Sequence, residues 1–255
     1  MAKTIEDFQI IDNKQINKDL FVLELLSSQT LSKILPGQFV QVMVENSQTT
    51  FLRRPLSIHD VDYDKNTIKL LVQVVGKGTA ALAQLRKGNL LNLIYPLGNS
   101  FSLPASGEKV LLVGGGCGVA PLLFLAKYFK SNNYNIDILI GFRNRDRVIE
   151  YEEYQKYGQV FLTTEDGSEG EKGFVTDHSI LLERKYDRIC CCGPDSMMKA
   201  ISAYSSTGNI ICEVSLENLM ACGIGVCLCC VVNTTRGNVC TCTDGPVFNI
   251  NVLKW

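Results

Sequence analysis

Six of the eleven cysteines in this 255-residue chain lie between Cys222 and Cys242. The string runs Cys222-Gly223-Ile224-Gly225-Val226-Cys227-Leu228-Cys229-Cys230, then Cys240-Thr241-Cys242-Thr243-Asp244-Gly245-Pro246. A tail of about 40 residues built this way buries little core by itself, so a metal is expected to support it. Cys222, Cys227 and Cys230 read C-x4-C-x2-C, the plant-type [2Fe–2S] spacing, which calls for a fourth, distant cysteine. Spacing alone leaves Cys240 and Cys242 both open for that place. Thiolates suit such a cluster because sulfur is soft and spreads its charge. Gly223 and Gly225 let the backbone curl and aim N–H groups at the sulfurs. The competing reading is a zinc knuckle from Cys227-x2-Cys230 and Cys240-x-Cys242, which leaves the upstream arm unexplained. Cys229, between two ligands, is expected to point elsewhere.

The rest of the chain divides in two. Up to about residue 103, short apolar or alternating runs such as Gln38-Phe39-Val40-Gln41-Val42 and Ile68-Lys69-Leu70-Leu71-Val72 alternate with turn signals such as Pro36-Gly37. Many short strands at this spacing predict an antiparallel β-barrel, with one short helix over 79–86. Residues 103–108 form a linker. Beyond it strands are expected at 109–113, 136–141, 159–163, 187–192 and 209–213, and helices at 119–131, 147–156, 175–183 and 195–204. That rhythm predicts an α/β domain with a parallel sheet. The expected units are therefore 1–103, 104–213 and 214–255. The net charge of −1 offers no electrostatic case for nucleic acid or an anionic membrane. No apolar run of about 18 residues occurs, and residues 1–7 lack an apolar leader core, so a cytoplasmic location is expected. An odd cysteine count in such a chain argues for metal or redox chemistry over disulfides.

Val110-Leu111-Leu112-Val113 runs into Gly114-Gly115-Gly116-Cys117-Gly118-Val119-Ala120-Pro121 and then an apolar helical run. A glycine-rich turn between strand and helix lets a pyrophosphate approach backbone N–H groups. Pro121 suits the first helical turn. The strand 188–192 ends in Cys192-Gly193-Pro194 at the same sheet edge, and Cys190 and Cys191 are expected to be buried hydrophobes. In Arg53-Arg54-Pro55-Leu56-Ser57-Ile58, an Arg and a Ser three apart can jointly grip a phosphate.

Taken in order, Arg54-x-x-Ser57, the 114–121 turn with Cys192-Gly193-Pro194, and the cysteine tail resemble the ferredoxin–NADP reductase superfamily. Within it the chain is most similar to the electron-transfer subunits of class 1B dihydroorotate dehydrogenases. The hallmarks are Gly76-Lys77-Gly78-Thr79, Pro96-Leu97-Gly98-Asn99, Ser215-Leu216-Glu217-Asn218, the C-x4-C-x2-C run, and Cys242-x-Asp244-Gly245-Pro246-Val247-Phe248. The resemblance spans essentially the whole chain.

It implies an FAD-binding barrel in which Arg54, Pro55, Leu56 and Ser57 contact the flavin and its phosphates. Leu71, Val72 and Gln73 would form a second wall, and Gly78 with Thr79 would meet the pyrophosphate. NAD would lie at Gly114, Gly115, Gly116 and Gly118 and near Cys192, Gly193 and Pro194. From their position after the second strand of that domain, Arg143 and Arg145 are candidates to meet a 2′-phosphate if NADP were used, or equally members of a solvated loop. The cluster ligands would be Cys222, Cys227, Cys230 and Cys242, since the family's fourth ligand precedes Asp-Gly-Pro by two residues. Electrons would come from an FMN-containing dihydroorotate-oxidising partner, in a heterotetramer of two of each chain, and pass through the cluster and FAD to NAD+, in pyrimidine (UMP) biosynthesis. No acid–base residue is called for, and His59 and His178 are expected only to pack or meet solvent. The end 247–250 is expected to be exposed and to help dock the partner. Two rival readings remain: a reductase subunit of another complex, ferredoxin- or hydrogenase-linked, and a zinc-stabilised nucleotide-binding redox module.

Overall fold

A computed structural model describes residues 3–45 and 50–254; Met1 and Ala2 of the N-terminal segment read above lie outside them. The first unit contains β1 (Thr4–Gln15), β2 (Leu20–Leu26), β3 (Phe39–Val42), β4 (Arg54–Ser57), β5 (Asp60–Asp62), β6 (Thr67–Gln73), α1 (Lys77–Ala83) and β7 (Leu90–Leu97). The strands form one antiparallel sheet in the order β4-β3-β7-β1-β2-β6-β5. Side chains alternate across each strand, so Phe8, Ile10, Leu23, Val40, Val42 and Leu70 fill one interior. The ladder leaves β4 and β5 as edges, making this a half-barrel where the sequence suggested a barrel. Pro55, which cannot donate to a ladder, accordingly sits on an edge strand. Helix α1 begins two residues earlier than expected. Thr79 Oγ1 accepts the Val75 and Gly76 N–H groups at 2.9 and 3.2 Å, satisfying donors at its start.

The second unit holds β8 (Val110–Gly115), α2 (Ala120–Ser131), β9 (Ile136–Phe142), α3 (Tyr151–Gln155), β10 (Gln159–Thr164), β11 (Glu171–Lys172), α4 (Ile180–Glu183), β12 (Arg188–Cys192), α5 (Asp195–Thr207) and β13 (Ile211–Ser215). The five expected strands all form and pair in parallel. The expected helix over 147–156 is cut to α3 because Glu150 takes a left-handed conformation, φ 53°. That over 175–183 splits into a 3-10 turn and α4, where His178 Nδ1 accepts the Ile180 N–H at 3.0 Å in place of a helical bond. Cys190 and Cys191 are fully buried.

The tail contains a hairpin of β14 (Val231–Thr234) and β15 (Gly237–Cys240), then α6 (Thr241–Asp244) and β16 (Val247–Asn249). The structure overturns the expected docking role of residues 247–250. Strand β16 pairs antiparallel with β13 and completes the order β11-β10-β9-β8-β12-β13-β16, and Val247, Phe248 and Ile250 are buried. A free β13 edge would leave backbone groups unpaired, and the returning tail satisfies them. The cysteines themselves rest on the barrel, where Cys230, Cys240 and Cys242 pack with Phe39 of β3 and Leu97 of β7. Asn99 locks this arrangement. Its N–H donates to Gly245 O at 2.7 Å, its Nδ2 to Asp244 O at 2.7 Å, and its Oδ1 accepts from Val247 N at 3.1 Å. Among the described residues no helix is long and apolar enough to cross a membrane.

Candidate functional site

All four residues of β4 are half-buried, so this edge strand keeps both faces partly open beside a packed sheet. Arg54 Nη1 donates to Leu52 O at 2.7 Å, which holds the guanidinium against the strand. A Cβ on Gly78 would come within 2.7 Å of Arg54 Nε, so the bare glycine lets α1 and this guanidinium sit in direct contact. Arg54 and Gly78 are thus brought together, whereas the Thr79 hydroxyl is spent on the start of α1. Neighbouring Arg53 turns inward, donating to Gln41 O and Asn92 O at 3.1 Å. On β6, Val72 points into the barrel core and Leu71 into the core shared with the second unit. Gln73 alone of that trio is exposed.

The chain leaves β8 for β9 on one side and returns to β12 on the other, so the crevice above β8 and β12 is the topological switch point. Both glycine motifs end there, with Gly114 opposite Cys192 in the ladder. A Cβ on Gly118 would overlap the Gly193 backbone, and Gly193 itself has φ 155°. The two turns therefore interlock through bare backbone. Gly116 sits at φ 54°, and a 3-10 turn over Gly116–Val119 leads into α2, with Pro121 in its first turn. The Cys117 thiol bonds to the backbone of Gln73, joining the turn to β6 of the barrel; burial foremost pushes it up to about 12, so it stays protonated. Below, the fully buried Cys192 Sγ donates to Glu217 Oε1 at 3.7 Å, a neighbour that the Ser-Leu-Glu-Asn motif contained without a role. Pro194 is exposed at the head of α5. Arg143 is exposed, and Arg145 pairs with Glu169 at 3.4 Å.

His59 departs from expectation. It is fully buried between the two units, its Nδ1 2.7 Å from Ala120 O at the start of α2 and its Nε2 2.7 Å from Glu150 Oε2. A carbonyl oxygen only accepts, so Nδ1 carries a proton there. His59 thus ties the strand that follows Ser57 to the helix that follows the glycine turn. Burial raises the Glu150 carboxyl, but the His59 contact outweighs it and holds the pKa below the usual value.

In the tail, Gly223, Gly225 and Leu228 all adopt positive φ, winding the backbone around the thiols. Ile224 N–H donates to Cys222 Sγ at 3.4 Å, Gly225 N–H to Cys242 Sγ at 3.2 Å, and Cys242 N–H to Cys230 Sγ at 3.4 Å. Such N–H···S bonds stabilise anionic sulfur. Burial is the largest single influence on Cys222 and raises its pKa, but the N–H donors of Ile224, Cys227 and Val226 together with the Cys227 side chain outweigh it and bring the pKa down to about 6, whereas burial and the adjacent Cys230 raise that of Cys242. Cys222 lies beside Cys227, and Cys230 lies beside both Cys240 and Cys242. Among the described residues no three His, Cys, Asp or Glu side chains are arranged to hold a single ion. Cys240 is buried next to Cys230, and Cys229 is exposed with its Sγ directed to Leu219 O at 3.8 Å.

Three family models match in the same order as these sites: an oxidoreductase FAD-binding domain over residues 7–101, an oxidoreductase NAD-binding domain over 112–203, and the iron-sulfur cluster binding domain of dihydroorotate dehydrogenase B over 217–254. The dihydroorotate dehydrogenase B (NAD(+)) electron transfer subunit of Fusobacterium nucleatum is 38% identical over 253 residues, 96% of each chain. That of Clostridium perfringens is 40% identical over 221 residues, 86% of each. A solved NADH-dependent reduced ferredoxin-NADP oxidoreductase, described in connection with flavin-based electron bifurcation, superposes with a TM-score of 0.88 at 32% identity, covering 97% of this chain and 90% of that one. The half-barrel, the switch-point crevice and the cysteine loop are thus the FAD-binding, NAD-binding and iron–sulfur parts of one NAD-linked oxidoreductase subunit, and the chain belongs to the family of dihydroorotate dehydrogenase B electron transfer subunits.

Proposed function

We propose that this chain carries electrons from an FMN-containing dihydroorotate-oxidising subunit to NAD+, in pyrimidine (UMP) biosynthesis in the cytoplasm. One observation carries the reading: the sites lie in series. The cysteine loop rests on β3, β3 pairs with β4, and the barrel's Gln73 touches the nucleotide turn at Cys117.

In this reading Cys222, Cys227, Cys230 and Cys242 would hold a [2Fe–2S] cluster. The N–H donors of Ile224, Gly225 and Cys242 offset the added charge of its reduced form. Arg54 and Ser57 grip the flavin's phosphate, Pro55 and Leu56 lie along its ring, and Leu71, Val72 and Gln73 bound its other side. The helix start at Gly78 and Thr79 approaches its pyrophosphate. Bound FAD supplies the conversion between single electrons and a hydride. Gly114, Gly115, Gly116 and Gly118, with Cys192, Gly193 and Pro194, receive the dinucleotide at the switch point, close to that flavin. The units 1–103, 104–213 and 214–255 then carry one redox group each. Leu219, Val226 and Leu228 are exposed around the cysteines and form the apolar surface on which the partner docks, two copies of each chain making a heterotetramer.

The test is co-expression with an FMN-containing dihydroorotate dehydrogenase chain, anaerobic purification, and assay of NAD+ reduction by dihydroorotate. Co-purification with coupled turnover is expected; a complex that oxidises dihydroorotate without reducing NAD+ refutes the reading. A second reading, a ferredoxin-linked subunit, is favoured by the 0.88 superposition on the ferredoxin-NADP oxidoreductase chain. Reduction of the purified complex by reduced ferredoxin in place of dihydroorotate establishes it.

A further inference from the structure

Strand β3 runs between the two redox regions, and its alternation decides which residues face which. Val40 and Val42 point into the barrel core, and Phe39 points the other way, onto Cys230, Cys240 and Cys242. Gln41 shares the Phe39 face by the period of two. Its side chain is fully buried, and neither Nε2 nor Oε1 has a hydrogen-bond partner. The carboxamide lies against the backbone after Cys222. A Cβ on Gly223 would meet Gln41 Cγ at 2.5 Å and Nε2 at 2.9 Å, so the φ of 72° and the contact with Gln41 both demand glycine there. On the backbone side Gln41 stands opposite Pro55 of β4, and its carbonyl is held by Arg53.

A buried amide donor without an acceptor is rare in a folded protein, and a donor packed against the backbone of a loop of thiols points to an anionic sulfur as its acceptor. We propose that Gln41 Nε2 donates a hydrogen bond to a sulfur of the cluster held by Cys222, Cys227, Cys230 and Cys242, and so raises the cluster's reduction potential. The proposal rests on the cluster assignment above. The sign follows from charge: reduction adds an electron to the sulfur cage, and a fixed donor stabilises the more negative form. Gln41 thus acts on the cluster directly and sets the potential at which electrons leave the tail, on the strand next to the proposed flavin strand.

The test is a redox titration of the full chain in its complex, followed by electron paramagnetic resonance of the reduced cluster, with the flavin potential read in the same samples. Gln41→Leu keeps the volume and removes the donor; Gln41→Glu keeps the shape and replaces the donor with a charge. Both are expected to shift the reduction equilibrium about tenfold toward the oxidised cluster, ~59 mV for a one-electron couple, and to leave the flavin potential in place. Wild-type protein carrying 15N in the glutamine side chains is expected to show a side-chain nitrogen coupling to the cluster spin, which needs no variant to assemble. An intact cluster with no such coupling, or with an unmoved potential in both variants, overturns the role of Gln41. A wild-type chain without iron and labile sulfide overturns the cluster assignment itself.

Discussion

The nucleotide turn and the cysteine loop are both glycine-rich, yet they are held in opposite ways. The turn is interlocked from within: Gly118 lies on the Gly193 backbone, Tyr154 Oη donates to Val119 O at 2.6 Å, and His59 clamps Ala120. The cysteine loop exposes Val226, Leu228 and Cys227, and the bonds that shape it converge on sulfur. The first is a crevice preformed by packing. The second is shaped around its thiols, as expected where burial is too small to fix a fold.

Removing a ligand is the harshest way to break this contrast. Cys227→Ala is expected to abolish iron binding and open the tail to limited proteolysis, while the first two units stay folded and retain FAD, checked by iron and flavin content of the digested protein. If the whole chain unfolds, the two regions are not independent. Glu150→Ala removes the carboxylate that faces the buried His59 ring and is expected to cost about 3 kcal/mol in chemical denaturation. The pH dependence has a definite sign. The folded Glu150 pKa lies below its ordinary value of 4.5, so the stability this carboxyl contributes is present above that value and is lost as pH falls through the lowered one. Lys69 and Lys14 add smaller attraction from the barrel side. Glu150→Gln should flatten that acid limb in thermal unfolding. Gly118→Ala forces a methyl against Gly193 and is expected to cost about 1–3 kcal/mol and raise the KM for NADH ~tenfold, measured with an artificial acceptor. At the small end, Cys229→Ala should leave iron content unchanged and stability within about 0.5 kcal/mol, because its exposed thiol faces Leu219 and not the other cysteines.

Much of the architecture is legible in local pattern. Alternation of two marks the barrel strands, apolar runs such as 110–113 mark the parallel sheet, and the linker at 103–108 separates them. The C-x4-C-x2-C spacing marks the tail, while the choice between Cys240 and Cys242 needed the family resemblance. Glu217 stood in a quoted motif, but its partner Cys192 is 25 positions away, and no spacing announces that pairing. The polar Gln41 amid Phe39, Val40 and Val42 was a visible break in an apolar strand, though without a known neighbour it carried no meaning.

The amino-acid order by itself determined which segments are strands, where the glycine-rich turn falls and which thiols are spaced for a cluster, because these depend on residues a few positions apart. Tertiary structure alone decided that 247–249 completes the nucleotide sheet, that His59 meets Glu150, and that Gln41 meets the cysteine loop. Those contacts join segments far apart in the chain, and which distant segments meet is settled by the packing of the whole, through unpaired strand edges and buried polar groups that have to find partners.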